Sequence, residues 1–133
     1  MGKTGVSPEK SGAPGMVLQG VLLGLALAAP AWAWAHASLV KSAPAHRAVL
    51  HRAPAKVQLW FNERLEPRYS SFSLLDAGAK PVAIGKVAVA SDNPKSLTAT
   101  INALPPGRYA VRFRVLSTDG HMVQNQFTFT VRH

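Results

Sequence analysis

Residues 109–115, with the sequence YAVRFRV, alternate between large apolar side chains and side chains that are small or charged. Alternation with a period of two is typical of a β-strand with one buried face and one face in water. The same alternation occurs at residues 127–131 (FTFTV) and 57–61 (VQLWF). The stretches 37–42, 69–75, 82–89 and 96–101 are weaker strand candidates. No segment beyond residue 35 has a helical period of useful length.

Turn-forming residues separate these stretches. They are Pro44, Pro54, Pro67, residues 76–78 (DAG), residues 92–94 (DNP) and residues 105–107 (PPG). About seven short strands in fewer than 100 residues predict an all-β domain, specifically a β-sandwich of immunoglobulin-like topology. Trp60 is expected to pack, either on the face opposite the 57/59/61 stripe or at the end of the sandwich.

The first 35 residues are not expected to belong to this fold. A polar start containing Lys3 and Lys10 precedes 17 uncharged residues, 16–32, which are followed by the small-x-small sequence Ala33-Trp34-Ala35. This order predicts a cleaved secretory signal peptide at 1–35 and a mature domain at 36–133, in an exported or periplasmic location. Cleavage after Ala33 and an uncleaved membrane anchor remain alternatives.

The composition restricts the function. The absence of cysteine excludes disulfides, thiolate catalysis, zinc fingers and iron–sulfur clusters. Without residues 1–35 the formal charge is +8, because Lys3, Lys10 and Glu9 are lost from a total of +9. Such a charge favours anionic surfaces or acidic partners. Nucleic acid is not expected as a partner, because the basic residues are scattered and no binding motif accompanies them.

Cleavage after Ala35 would make His36 the N-terminal residue. Its free α-amine and its Nδ1 could then chelate one metal ion, and nitrogen donors in a planar set suit Cu(II) best among common divalent ions. Asp119 and His121 are two residues apart, so on extended chain their side chains project to the same side. Together with His36 they would complete a set of three nitrogens and one oxygen. Taken alone, Asp-Gly-His is more typical of a polar turn between two strands.

The mature sequence resembles the CopC family of exported copper-binding, copper-resistance proteins. The resemblance covers essentially all of residues 36–133 and rests on residues 36–39 (HASL), 42–44 (SAP), 61–67 (FNERLEP), 117–121 (STDGH) and 127–131 (FTFTV). It implies a Greek-key β-sandwich, or a closed-barrel-like form of it, that binds one Cu(II) per chain.

The resemblance also implies roles for particular residues and partners. His36 and His121 would be nitrogen ligands, Asp119 would supply a carboxylate, and Glu63 would be a weak ligand or lie just outside the ligand sphere. An inner-membrane copper transporter of the CopD type would be the partner. A free N-terminus at the metal site favours a monomer.

Two features depart from the family pattern. Some members have a methionine-rich loop that binds Cu(I), whereas Met122 is the only methionine after residue 35, which argues against a thioether site. Asn125 stands where the family commonly has glycine, and asparagine tolerates left-handed backbone. His46 and His51 lie in a stretch rich in proline, arginine and alanine that is expected to be an exposed loop. A second metal site there is left open.

Three functions are compatible with these residues. A periplasmic Cu(II) carrier or buffer, without enzymatic activity, is favoured. An oxidative copper enzyme is the second, because lytic polysaccharide monooxygenases also chelate copper through an N-terminal histidine; a nearby carboxylate and a small domain argue against it. A structural β-sandwich without metal is the third, and it would follow if the α-amine of His36 were never released.

Overall fold

The structure, a computed structural model, describes residues 38–132. In this range the chain forms nine β-strands and one short 3₁₀ turn at Pro67–Tyr69. The strands are β1 (Leu39–Ala43), β2 (Ala48–Leu50), β3 (Lys56–Phe61), β4 (Ser71–Leu75), β5 (Pro81–Val82), β6 (Ala88–Ala90), β7 (Asn93–Thr100), β8 (Gly107–Leu116) and β9 (Met122–Val131).

The strands form two sheets. One has four strands in the order β1-β3-β7-β6, and the other has five in the order β2-β9-β8-β4-β5. The long hairpin β8–β9 is the centre of the second sheet, with an unbroken antiparallel register from Gly107 opposite Val131 to Leu116 opposite Met122. Its tip is the loop 117–121, so the hairpin carries the Asp-Gly-His sequence at one end of the sandwich.

The apolar stripes of the two sheets form the core between them. Side chains at 57, 59 and 61 of β3 and at 109, 111, 113 and 115 of β8 are buried, as the alternation predicts. Phe61 and Phe113 contact each other edge to face across the core, with ring centroids 5.5 Å apart. The hydroxyl of Tyr109 donates a hydrogen bond to the carbonyl of Pro105 at 2.6 Å, a contact typical of Greek-key sandwiches.

The prediction of an all-β sandwich is therefore confirmed, with two corrections to its details. The sheets do not join into a closed barrel, since within residues 38–132 β1 pairs with β3 and β6 with β7, which leaves both as edge strands. The strand count is nine in this range rather than about seven. The additional strands have two or three residues each, too short for a period of two to be visible in the sequence.

Two local expectations need correction. The turn expected at residues 92–94 is present but lies at residues 91–92, because β7 already begins at Asn93; Pro94 stands near the start of this strand, where a missing backbone donor is tolerated. The stretch around His46 and His51 is not simply a loop, because β2 lies between them and pairs in parallel with β9. Both histidines are exposed, as expected.

Trp60 and Asn125 lie within strands. Trp60 points away from the core, and the ammonium of Lys41 lies 4.7 Å from the centroid of its ring. Asn125 pairs with Phe113 in the β8–β9 ladder and does not adopt a positive φ, so tolerance of left-handed backbone is not needed there.

Candidate metal site

The loop 117–121 is a tight turn closed by its own backbone. The amide of Ser117 donates to the carbonyl of His121 at 3.0 Å, and the amide of Gly120 donates to the carbonyl of Ser117 at 2.9 Å. Gly120 has a φ of 96°, a conformation that favours glycine because it has no Cβ. The turn therefore depends on glycine between Asp119 and His121, and it brings these two side chains together.

The side chains of the turn form a small polar cluster. Asp119 Oδ1 lies 3.1 Å from Nδ1 of His121 and accepts a hydrogen bond from the hydroxyl of Ser117. The backbone amide of His121 donates to Asp119 Oδ1 and to Ser117 Oγ, both at 3.3 Å. Ser117 is 1% exposed, whereas the side chains of His121 and Asp119 are 49% and 40% exposed. The buried hydroxyl of Ser117 thus holds in place two exposed side chains, Asp119 and His121, whose oxygen and nitrogen atoms are of the kind that bind metal ions.

The cluster favours the ionised form of the carboxylate. The hydrogen bond from Ser117 is the main cause that holds the pKa of Asp119 below its ordinary value. Desolvation is the next largest effect and opposes it, while the imidazole and amide of His121 each lower the pKa further by a smaller amount. Asp119 therefore offers an anionic oxygen ligand at any pH near neutrality.

A second segment, residues 62–66, runs beside this loop. The amide of Thr118 donates to the carbonyl of Arg64 at 3.0 Å, and Leu65 forms an isolated β-bridge with Ser117. The half-buried Glu63 is therefore the residue directly before Arg64, whose carbonyl contacts the loop. The same segment contacts the first described residue, because Ser38 N donates to Asn62 Oδ1 at 2.7 Å and Asn62 N donates to Ser38 O at 3.2 Å.

The structure brings some of the predicted site residues together. Asp119 and His121 are in contact, and Glu63 lies on the adjacent segment, while His36 is outside the described residues. Within 38–132, no three His, Asp or Glu side chains are grouped closely enough to hold a metal ion. His46 is engaged elsewhere, where its Nδ1 accepts a hydrogen bond from the amide of Thr128 at 3.3 Å.

Comparison with known proteins identifies the family. The CopC domain model matches residues 39–132, which is nearly the whole described range and includes the loop 117–121. The chain belongs to the CopC domain family.

Individual CopC relatives agree with this assignment. Copper resistance protein C of Escherichia coli is 36% identical over 122 residues, covering 85% of this chain and 91% of that protein. The crystal structure of CopC from Methylosinus trichosporium OB3b is similar with a TM-score of 0.68 and 40% identity, covering 73% of this chain and 94% of that one. Copper transport protein CutJ of Bacillus subtilis is 30% identical over 77% of this chain, which spans only 19% of CutJ.

In this CopC domain, sequence reasoning missed two residues that position the site, Ser117 and Asn62, and one residue, Ser70, that supports the strand leading into it. Ser117 was part of the recognised motif, but its burial and its hydrogen bond to Asp119 were not foreseen. Asn62 joins the N-terminal segment to residues 62–66, and Ser70 bonds through its hydroxyl to the end of β8. For Ser117 the only available signal was a run of short polar residues, which is also typical of ordinary turns. Among residues 38–132 no helix is long and apolar enough to cross a membrane.

Proposed function

We propose that this protein is an exported, non-enzymatic Cu(II) carrier or buffer that serves copper resistance or homeostasis in the periplasm. One Cu(II) would be bound by the α-amine and imidazole of His36, the carboxylate of Asp119 and the imidazole of His121. The observation that carries the proposal is the pair Asp119–His121, held together on an exposed turn by a buried serine. Membership of a family whose relatives are named copper resistance proteins supports copper as the ion.

The tether at Ser38 supports a contribution from His36. Two further residues of extended chain reach about 7 Å from Ser38. Ser38 is hydrogen-bonded to Asn62. Two residues after Asn62, Arg64 is hydrogen-bonded to the loop that contains Asp119. These contacts connect the start of the described chain to the segment beside the loop, which supports a contribution from His36, provided that cleavage after Ala35 frees its amine.

The donor set favours the cupric ion. Imidazole, amine and carboxylate are borderline and hard ligands that suit Cu(II), whereas thioether and thiolate ligands select Cu(I). With Nδ1 of His121 donating to Asp119, the lone pair of the ring is on Nε2, and such a hydrogen bond fixes the orientation of a ligating histidine. Glu63 would adjust the charge beside the ion from the neighbouring segment.

A matched pair of histidine variants tests the site. We expect His121→Ala to lose most of its Cu(II) affinity in a competition titration against a chelator, and His51→Ala to keep it, because His51 is an exposed histidine outside the loop. Equal affinity of His121→Ala and the wild type would overturn the proposed ligand set.

The mature N-terminus is tested separately. Native mass spectrometry of the exported protein with one equivalent of Cu(II) should show a chain that begins at His36 and holds one copper. A chain beginning at Trp34, or one that keeps its leader, would contradict the N-terminal chelate. A copper-loaded protein that consumed reductant and produced peroxide faster than free copper would favour an oxidative enzyme over a carrier.

A further inference from the structure

We infer that the outer face of the five-stranded sheet is a docking surface for an acidic protein partner, which binds beside the loop 117–121, called the copper loop below because it holds the proposed ligands Asp119 and His121. We call it the arginine face; its centre is the row Arg108, Arg112 and Arg114 on β8. Their side chains point away from the core, since the alternating residues 109, 111, 113 and 115 of β8 are buried. Neighbours on one strand face are about 7 Å apart, so the row is about 20 Å long.

The charge of this face is not balanced within the described chain. The strands of the five-stranded sheet contain no acidic residue. Within residues 38–132 none of the three arginines forms an ion pair. The nearest carboxylate in sequence to this sheet's strands is Asp76, at the end of β4, and its Oδ1 already accepts the amides of Gly78 and Lys80, both at 2.9 Å. Like charges along one strand repel, which favours binding of a negatively charged surface.

Protection of a sheet edge does not explain the row. Charged residues are common on edge strands, where they prevent pairing with other chains. However, β8 is the central strand of its sheet, with β9 on one side and β4 on the other. These arginines therefore have no edge to protect, and their charge is available to a partner.

The shape and chemistry of the face favour a protein over a membrane. Shallow depressions flank Arg112, one lined by Asp76, Arg108 and Gln126 and the other by Ser73 and Arg114, among others. Arg112 Nε donates to Gln126 at 3.4 Å, which orients its guanidinium and leaves the Nη donors for a partner. All three basic residues are arginine, whose planar fork matches carboxylates in a defined geometry, whereas attraction to a lipid surface needs only charge.

The location of the arginine face connects it to the copper loop. β8 leads directly into Ser117, so Arg114 is about 10 Å of extended chain from the loop. Tyr69 and Met122, which are 61% and 41% exposed, line a shallow depression together with Arg114. Apolar side chains beside a charged row are typical of the buried centre and polar rim of a protein interface. A bound partner would thus lie beside Asp119 and His121.

The test uses the purified, copper-free protein labelled with ¹⁵N. The probe is a synthetic peptide of alternating glutamate and threonine, in which carboxylates recur every 7 Å or so when it is extended. We expect the peptide to change the amide chemical shifts of the labelled wild-type protein mainly in β4, β8 and β9. The variant R108Q/R112Q/R114Q should bind about tenfold or more weakly, since each arginine would contribute a charge-assisted hydrogen bond.

A charge-matched control separates a defined surface from net charge. K56Q/K86Q/K95Q removes three exposed positive charges on or beside the four-stranded sheet and should bind the peptide nearly as well as the wild type. Equal weakening of both triple variants, or shift changes spread over both sheets, would overturn the inference. So would binding of wild type to phosphatidylglycerol vesicles through this face without binding to the peptide, which would indicate a membrane surface.

The inference is independent of copper binding, and the two fail separately. Circular dichroism should show that both triple variants are folded, because all six positions are exposed. The variant R108Q/R112Q/R114Q should still bind Cu(II) like the wild type in the chelator titration. If R108Q/R112Q/R114Q loses peptide binding but keeps its Cu(II) affinity, the loss is therefore due to the arginine face and not to the copper site.

Discussion

The hydroxyl of Ser117 is expected to control copper affinity although it is too deeply buried to be a ligand itself. It donates to Asp119 Oδ1 and accepts from the amide of His121, and the side chain is 1% exposed. In Ser117→Ala the carboxylate loses the donor that chiefly lowers its pKa, and the turn loses one internal connection. Removing a group that orients metal ligands typically lowers affinity about 10–100-fold, so we expect about a tenfold loss of Cu(II) affinity.

The effect on the fold should be modest. A hydrogen bond made by a buried hydroxyl contributes about 1 kcal/mol, which corresponds to a fall of about 4–8 °C in the Tm of a domain of this size. Thermal unfolding followed by circular dichroism, without copper, measures this contribution. Competition with a Cu(II) chelator measures the affinity at a temperature where the variant is fully folded.

Ser70→Ala is the matched control. Ser70 is also buried, and its hydroxyl bonds to the amide of Leu116 at 3.1 Å and to the carbonyl of Leu116 at 3.3 Å, at the end of the strand that leads into the copper loop. Its loss should destabilise the fold by about 1–2 kcal/mol because the amide of Leu116 is left without this partner. Copper affinity should stay within about twofold, since no contact to Asp119 changes.

The comparison of the two serine variants decides the matter. If Ser117→Ala bound Cu(II) like the wild type, the hydroxyl would have only a structural role. If Ser70→Ala lost as much affinity as Ser117→Ala, the loss would reflect general loosening of this end of the sandwich and the reasoning from the Ser117–Asp119 contact would be refuted.

Three further predictions follow from the same structure. Gly120→Ala should lower the free energy of unfolding by about 1–2 kcal/mol because of the φ of 96°, although no atom lies within 4 Å of an added Cβ. It should also weaken Cu(II) binding, and an unchanged free energy of unfolding and Cu(II) affinity would contradict the role of the turn. Tyr109→Phe should cost about 1 kcal/mol by chemical denaturation, through loss of the bond to Pro105. Burial, and to a smaller extent the charge of Asp76, raises the pKa of Tyr109 above its ordinary value of 10.0. The contribution of Tyr109 to the free energy of unfolding is therefore complete below pH 10.0 and is lost as the pH rises through the raised pKa. Tyr109→Phe should lack this alkaline loss of stability. Cu(II) affinity, measured by chelator competition, should fall as the solution is acidified, because protons compete with Cu(II) for nitrogen ligands. The lowered pKa of Asp119 keeps its carboxylate ionised at neutral pH, so Asp119→Asn should bind Cu(II) more weakly there; equal affinity would contradict the role of this carboxylate.

Much of the candidate site was accessible from the sequence because its parts are local. Asp119 and His121 were predicted to project to the same side on extended chain; their side chains do contact each other, but through a tight turn around Gly120 rather than through an extended segment. The membership in the CopC family also followed from short motifs and was confirmed. The roles of Ser117 and Asn62 could not be predicted from the sequence. The burial of Ser117 results from the packing of the sheets, and the contact of Asn62 is with Ser38, which is 24 residues away in the chain.

The sequence by itself determined which faces of the long strands are buried, since side chains alternate along a strand whatever its partners are. It therefore determined the core and the outward direction of the arginines on β8. Only the tertiary structure decided that β2 pairs in parallel with β9, that β8 is central in its sheet, and that the two sheets stay open at their edges. Strand order depends on pairings between residues far apart in the chain, and a pattern with a period of two carries no information on which strands become neighbours.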